Sequence, residues 1–476
     1  MGTSKKLRGS TAPLKRKAID ALRYGPTHPA WRPKTRDQLV ETLGNSGWIA
    51  PCEGAVPSEA GGEWQLGPAC GAVLALSVGR EELRSALAGP DGRLLVEEVE
   101  QLYVESPKGK RQDGPEEFKQ ALAGQLRSCT GGDHAPIVAV GVAWPGRIDR
   151  KANGGKGDPH IRSYHGKWEG FDTPLSELVK EAMVAAGLKA DIPVYVVNDA
   201  DADLMALAHS TLEDHAKYPG EEEYPGLAEI QEMIAGSRVT LSVTIAGGVG
   251  GALMFAPGPP LRRSVQRGSH GFAGELGQIP VDVTLPDAEK ATVIKGLRKL
   301  KQLKRDKAFP KWDCLYRETL DHYASGRSIV EQLYEKLEGG YNGRIRDLEA
   351  RLAMGDGDAL LEHVMDRSGR LIGQALVGPT LTLDPDLVVI SSFAESKDLL
   401  EGVRHVLRQT SAGHLGLERK RIILAPTDSA RILKGAARWA IEARIAPSLE
   451  KVCKASNKDG KLGELRNELL KDAIFA

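Results

Sequence analysis

The stretch IPVYVVNDADADLMALAH, residues 192–209, passes from a β-branched run straight into an alanine- and leucine-rich helical pattern, with no loop between them. A buried strand whose C-terminal end opens a helix is the building unit of α/β architecture, so this segment constrains the rest of the chain. The same alternation recurs elsewhere. VLALSVG, ELRSALAG, RLLVEEVE, PIVAVGVAWPG and DLVVISS read as strands, and VTLSVTIAGGVGGALMF reads as a strand pair around a glycine-rich turn. PLSELVKEAMVAAG, IVEQLYEKLEG and ARILKGAARWAIEARI read as helices. Asp91-Gly92 supplies a turn between the second and third strands. The expectation is an α/β protein with mixed sheets covered by helices.

At 476 residues the chain exceeds one compact core and implies two or three domains. Lys and Arg number 64 against 64 Asp and Glu, so the charge of the whole chain demands neither nucleic acid nor a membrane. No apolar run approaches the roughly 20 residues of a membrane helix, and MGTSKKLRGS lacks the apolar centre of a signal peptide. The 5 cysteines are scattered without a CxxC pair, which fits a reducing cytoplasm.

Charge is uneven locally. Residues 1–36 hold ten Lys/Arg and a single acid, Asp20. Within this basic arm Pro26, Pro29 and Pro33 forbid a continuous helix. TRDQLVETLGNSG, residues 35–47, reads as a helix, and a short hairpin is expected from WIAP to EWQL. Residues 290–311 form a basic insert in which Ile294, Leu297, Leu300 and Leu303 give an amphipathic pattern. That pattern suits either a packed helix with a solvated face or a contact with a partner or DNA. The last 25 or so residues form a charged, helical extension, and no repeat of solenoid length is present.

Three motifs carry chemistry. In NDAD, Asn198 and Asp199 stand at the C-terminal end of a strand, where α/β sheets place ligands. An aspartate there can accept a proton from a sugar hydroxyl while the amide fixes a second hydroxyl; a capped helix start is the plainer reading. In GSHGFAGELGQ, Glu275 sits among glycines that let a backbone approach a ligand. Alone it reads as a solvated side chain, and beside Asn-Asp it reads as a second acceptor for a polyol. In AGGVGGA, Gly248, Gly250 and Gly251 shape a turn able to aim amides at phosphate, or simply a tight hairpin.

The order of these segments is specific. SVG near residue 77, WPGRID at 144–149, NDAD, AGGVGGA, AGELGQ and DHYASGRSI at 321–329 together resemble the ROK family of sugar kinases and sugar-responsive repressors, over roughly residues 70–445. The resemblance implies a two-lobed actin-like ATPase (ribonuclease H-like) fold with a sugar site between the lobes. That site carries over to Asn198, Asp199, Glu275, Gln278 and Asp321, with Asp199 at the catalytic-base position.

The chain also departs from the family pattern. The first phosphate motif of the family reads DxGGT; the matching SVGRE has Ser77 for the aspartate, keeps Gly79, and has Arg80 and Glu81 where glycine and threonine stand. AGGVGGA lacks the threonine of the second phosphate loop. Ser391, Ser392 and Phe393 replace glycines on the adenine side. Of the family's four zinc ligands only Cys314 remains, with Gln278, Trp312 and Thr319 at the other positions, so no metal is expected.

These features imply a sugar- or sugar-phosphate-responsive transcriptional regulator without a nucleotide cofactor. The competing readings are a hexose or N-acetylhexosamine kinase and a sugar-binding protein that does not bind DNA. The expected organisation is a basic arm with a partial winged helix-turn-helix (1–68), an N-terminal lobe (69–197, with helix 428–447 returning to it), a C-terminal lobe (198–427) and a helical tail (448–476). DNA contacts are expected from Arg32, Lys34, Thr35 and Arg36, and a homodimer or homotetramer follows from the resemblance.

Overall fold

The structure is a computed structural model that describes residues 49–51, 64–66, 71–79, 82–89, 92–101, 115–132, 134–146, 148, 174–209, 224–255, 264–269, 271, 273–281, 319–335, 359–393, 395–410, 422–426 and 430–455. The strand pair expected from WIAP to EWQL is present as β1 (Ile49–Pro51) and β2 (Trp64–Leu66), which run antiparallel. The helix expected at 35–47, the basic insert 290–311 and the residues Arg32, Lys34, Thr35 and Arg36 lie outside the described residues.

Contacts divide the chain into two compact units. The first comprises Met1–Ala143, Leu175–Val196 and Ala436–Ala476; the second comprises Trp144–Pro174 and Val197–Gly435.

The first unit is built on β3 (Ala72–Val78), β4 (Glu82–Ala88), β5 (Leu94–Gln101), β6 (Ile137–Trp144) and β7 (Val194–Asn198), in the order β5-β4-β3-β6-β7. β3 and β6 are apolar along nearly their whole length, as strands covered on both faces must be. Helix α1 (Pro115–Cys129) packs on β4, β5 and α2 (Leu175–Ala185). Arg127 fastens the two helices by donating to Ala185 O at 3.1 Å.

The second unit holds β8 (Val239–Ile245), β9 (Val249–Phe255), β10 (Ser264–Val265), β11 (Leu387–Ser392) and β12 (Ile422–Ala425), in the order β10-β9-β8-β11-β12. Strand periodicity sorts its side chains onto two faces. Val388, Ile390, Ile422 and Leu424 join a core with α5 (Leu320–Ala324), α6 (Gly326–Glu335), α7 (Ala359–Leu383) and α8 (Lys397–Gln409). Leu387, Val389, Ile423 and Ala425 join a separate core with α3 (Asp199–His209) and α4 (Leu227–Gly236). Each such aliphatic side chain, fully buried, contributes roughly 1.5–3 kcal/mol. The last helix, α9 (Arg431–Ala455), leaves the second unit after Gly435 and continues in the first.

The two sheets repeat one plan. β3 pairs antiparallel with β4 and parallel with β6; β8 pairs antiparallel with β9 and parallel with β11. In each a third strand extends the antiparallel side, β5 on β4 and β10 on β9. The repeat is one of topology and leaves no visible period in the sequence.

Candidate functional site

β7 ends at Asn198, and α3 begins at the next residue. The Asn198 side chain is committed in two directions. Its Oδ1 accepts from the Ala200 amide at 3.0 Å, and its Nδ2 donates to Gly146 O at 3.1 Å. Asn198 therefore caps the helix and fixes the WPG turn that follows β6, as the plainer reading of this residue expects.

Asp199 is partly buried, and its Oδ1 accepts from the Ala200 amide at 2.9 Å. The carboxyl pKa is pushed up to about 7, chiefly by burial, with the Ala200 amide opposing the rise and Glu275, Asp201 and Asp203 adding to it. A carboxylate poised near neutrality is suited to accept a proton from a hydroxyl.

The AGELGQ segment presents Glu275 at the start of a 3-10 turn, Leu276–Gln278. Gly274 adopts φ +94°, and any Cβ there would collide with Gly251 O, so the loop backbone lies directly on β9. A Cβ on Gly277 would likewise strike Val249 O. Gly250 is pressed toward the Ala200 methyl, where a Cβ would lie 2.9 Å away. The glycines of AGGVGGA thus let the hairpin turn, the glycine loop and the first turn of α3 come together in the second unit. Gln278 is on the exposed side of its turn.

Asp321, in the short helix α5, reaches the same place. Its Oδ1 accepts from the Val249 amide at 2.7 Å and would lie 2.9 Å from a Cβ on Gly248. Beyond it, Thr319 Oγ1 is 2.8 Å from His322 Nδ1, and the Leu320 amide donates to Ile279 O at 2.9 Å, tying α5 to the end of the glycine loop.

Ser77 and Gly79 lie at the end of β3 in the first unit, where Ser77 is paired with Arg84 and Ala143 across the sheet. Arg80, Glu81, Trp312 and Cys314 fall outside the described residues. Ser391 and Ser392 are buried in β11, and the Phe393 ring packs where a Cβ on Gly326 would lie 3.0 Å from it.

Sequence reasoning missed the buried charges behind the site. Asp203 pairs with Arg431 and accepts from Thr244 Oγ1 at 3.0 Å, while Arg431 Nη2 donates to Ser391 Oγ at 2.9 Å. Asp201 is 2.7 Å from Arg267 Nε. The signal available was DADAD itself, since three acids at alternate positions of an otherwise apolar helix cannot all face solvent. Nothing near Arg267 or Arg431 in sequence marks them as partners.

The ROK family model matches residues 226–443. No curated protein matches the chain. Among solved structures, a ROK family transcriptional regulator, homologue of the E. coli MLC protein, is 17% identical, with 94% of this chain and 98% of that one covered at a TM-score of 0.57. A ROK hexokinase from Thermus thermophilus is 21% identical, covering 78% of this chain and 98% of that one at 0.47. A ROK glucokinase from Streptomyces griseus, in complex with glucose and AMPPNP, is 17% identical, covering 78% and 99% at 0.49. The likeness to the regulator establishes the fold, the two-lobed actin-like ATPase fold. The span that the ROK family model matches, residues 226–443, contains the hairpin turn, the glycine loop, Asp321 and Phe393.

Proposed function

We propose that the protein is a sugar-responsive transcriptional regulator whose effector, a sugar or sugar phosphate, is held by Asn198, Asp199, Glu275, Gln278 and Asp321, and whose nucleotide site is degenerate. The fold does not choose between regulator and kinase, because the family's fold serves both, so the residues must. One observation carries the reading: the Val249 amide, on the turn expected to cradle phosphate, is held by the Asp321 carboxylate. A carboxylate there repels a triphosphate, and Ser77 supplies no metal-orienting carboxylate on β3. Against this, Asp199 with its pKa near 7 favours a kinase, the second reading.

An effector bound at 100 times its dissociation constant adds roughly 2.7 kcal/mol to stability, so a thermal-shift screen of hexoses, N-acetylhexosamines and their 6-phosphates tests the site. A ligand that stabilises the wild type and fails to stabilise Asp199→Ala supports it, and no stabilisation by any member of the panel counts against it. Release of ADP with the same panel separates the kinase, and retention of genomic DNA separates a regulator from a sugar-binding protein without DNA binding. The proposed setting is a homodimer or homotetramer in the cytoplasm; among the described residues no helix is long and apolar enough to cross a membrane.

A further inference from the structure

The DADAD run places Asp199, Asp201 and Asp203 at the start of α3. At 3.6 residues per turn, Asp199 and Asp203 share a face and Asp201 is turned away from them. The two inner acids are more than nine-tenths buried, and each meets a buried arginine from a different element. Arg431, at the start of α9, answers Asp203. Arg267, between β10 and the glycine loop, answers Asp201 at 2.7 Å.

Arg267 has a second attachment. Its carbonyl accepts from the Ala273 amide at 3.2 Å and closes the loop that presents Glu275 two residues later. One residue therefore grips the Asp199 helix with its side chain and the Glu275 loop with its backbone.

We infer that Arg267 is a positioning residue for the Asp199–Glu275 pair, acting through its buried ion pair with Asp201. A buried ion pair adds little net stability against an apolar replacement, but it fixes geometry and is costly to break from one side. In this place it sets how closely two acids approach and how negative their surroundings are. Asp199 is faced by Glu275 from the glycine loop and by Asp201 and Asp203 on its own helix, with Arg267 and Arg431 balancing the latter two. The inference rests on reading Asp199 and Glu275 as sugar contacts, yet the charge coupling needs no sugar to be measured.

The experiment follows the Asp199 carboxyl by 13C NMR in protein labelled at aspartate Cγ, assigned by loss of the signal in Asp199→Asn. Arg267→Met removes the positive charge beside Asp201, so the midpoint of Asp199 is expected to rise above its wild-type value of about 7. Asp201→Asn removes the negative charge beside Arg267, so the midpoint is expected to fall. The double variant is expected to return toward wild type. Calorimetric titration with D-glucose and N-acetyl-D-glucosamine is expected to show at least about threefold weaker binding in Arg267→Met, the scale of coupling between contacting residues. Arg267→Lys, which keeps the charge, should recover part of that loss.

A midpoint that does not move in either single variant overturns the inference and leaves a merely structural pair. If Arg267→Met does not fold, the fall in Asp201→Asn decides the matter alone. If neither sugar binds the wild type while the midpoints move as expected, the charge coupling stands and the sugar assignment fails.

Discussion

The Asp321 carboxylate accepts a 2.7 Å hydrogen bond from the Val249 amide, so an acid from α5 holds the turn of the β8–β9 hairpin. Hydrogen bonds with an ionised partner contribute roughly 1.5–3 kcal/mol. Asp321→Ala is expected to lose stability on that scale in urea unfolding and to speed hydrogen exchange at Val249. Asp321→Asn keeps an oxygen acceptor and should lose less. Wild-type exchange at Val249 in the alanine variant would remove Asp321 from the proposed site.

Asp199 gives the protein a pH signature. Its carboxyl titrates near 7 in the folded chain and at its ordinary value of 3.8 when unfolded. The folded state therefore binds the proton more tightly. Stability falls as pH rises from about 4 to about 7 and is level above that, by at most about 4 kcal/mol at 1.36 kcal/mol per pKa unit. Asp199→Asn should flatten that slope and be the more stable protein at pH 8. Sugar binding runs the other way, because a hydroxyl donates to the ionised carboxylate. Affinity is expected to rise with pH by at most about tenfold per unit and to level off above about 7. Binding that weakens over the same range would assign the acceptor role elsewhere.

Some of this is legible in the sequence, for physical reasons that differ from residue to residue. β3, β6, β7 and β11 are short apolar runs bounded by turn residues, and period and composition suffice to find them. Asn198, Asp199, Glu275 and Asp321 stand in motifs whose order is distinctive, although only the folded chain brings Asp321 to the Val249 amide. The glycines of AGGVGGA suggest a phosphate cradle, whereas the collision awaiting a Cβ on Gly251 with Leu276 shows that they also pack protein on protein. The Asp201–Arg267 and Asp203–Arg431 pairs are invisible there, since partners 66 and 228 residues apart leave no local pattern. The doubled sheet is hidden too, because topology repeats without any repeat of side chains.

Close packing around the glycine loop makes opposite expectations for two glycines. Gly274→Ala forces an L side chain into φ +94° and against Gly251 O, so a loss of several kcal/mol or failure to fold is expected. Gly124, inside α1, has nothing within 4 Å of where a Cβ would stand, so Gly124→Ala should gain about 0.5–1 kcal/mol from helix propensity. Circular-dichroism melts of both variants check the pair. Equal stability for the two would contradict the placement of the glycine loop on β9.

Phosphotransfer from ATP to a common hexose is expected to be negligible, well under the roughly 1 per second at which ordinary enzymes begin. Three features act together: Ser77 in place of an aspartate, the carboxylate of Asp321 on the Val249 amide, and Phe393 packed against α6. Ser77→Asp alone should not restore activity, because it changes one of the three. A coupled ADP assay reaching ordinary turnover with any hexose would make the kinase the better reading.

DNA binding is expected to depend on the N-terminal arm. Residues 1–36 hold ten Lys/Arg, enough for several phosphate contacts, and such contacts make affinity fall steeply with salt. Arg32 and Lys34 suit phosphate, while Thr35 and Arg36 open the predicted helix and can reach phosphate or a base edge. A two-fold dimer would present two arms to a palindromic site, and sugar binding would act by altering their spacing. Fluorescence anisotropy on the full chain and on a chain lacking residues 1–68, each at two salt concentrations, measures this. Loss of binding on truncation, with a steep salt dependence in the full chain, is the expected result. Equal binding by both would move the contact to the lysine-rich insert at 290–311, and no binding by either would leave a sugar-binding protein that does not read DNA.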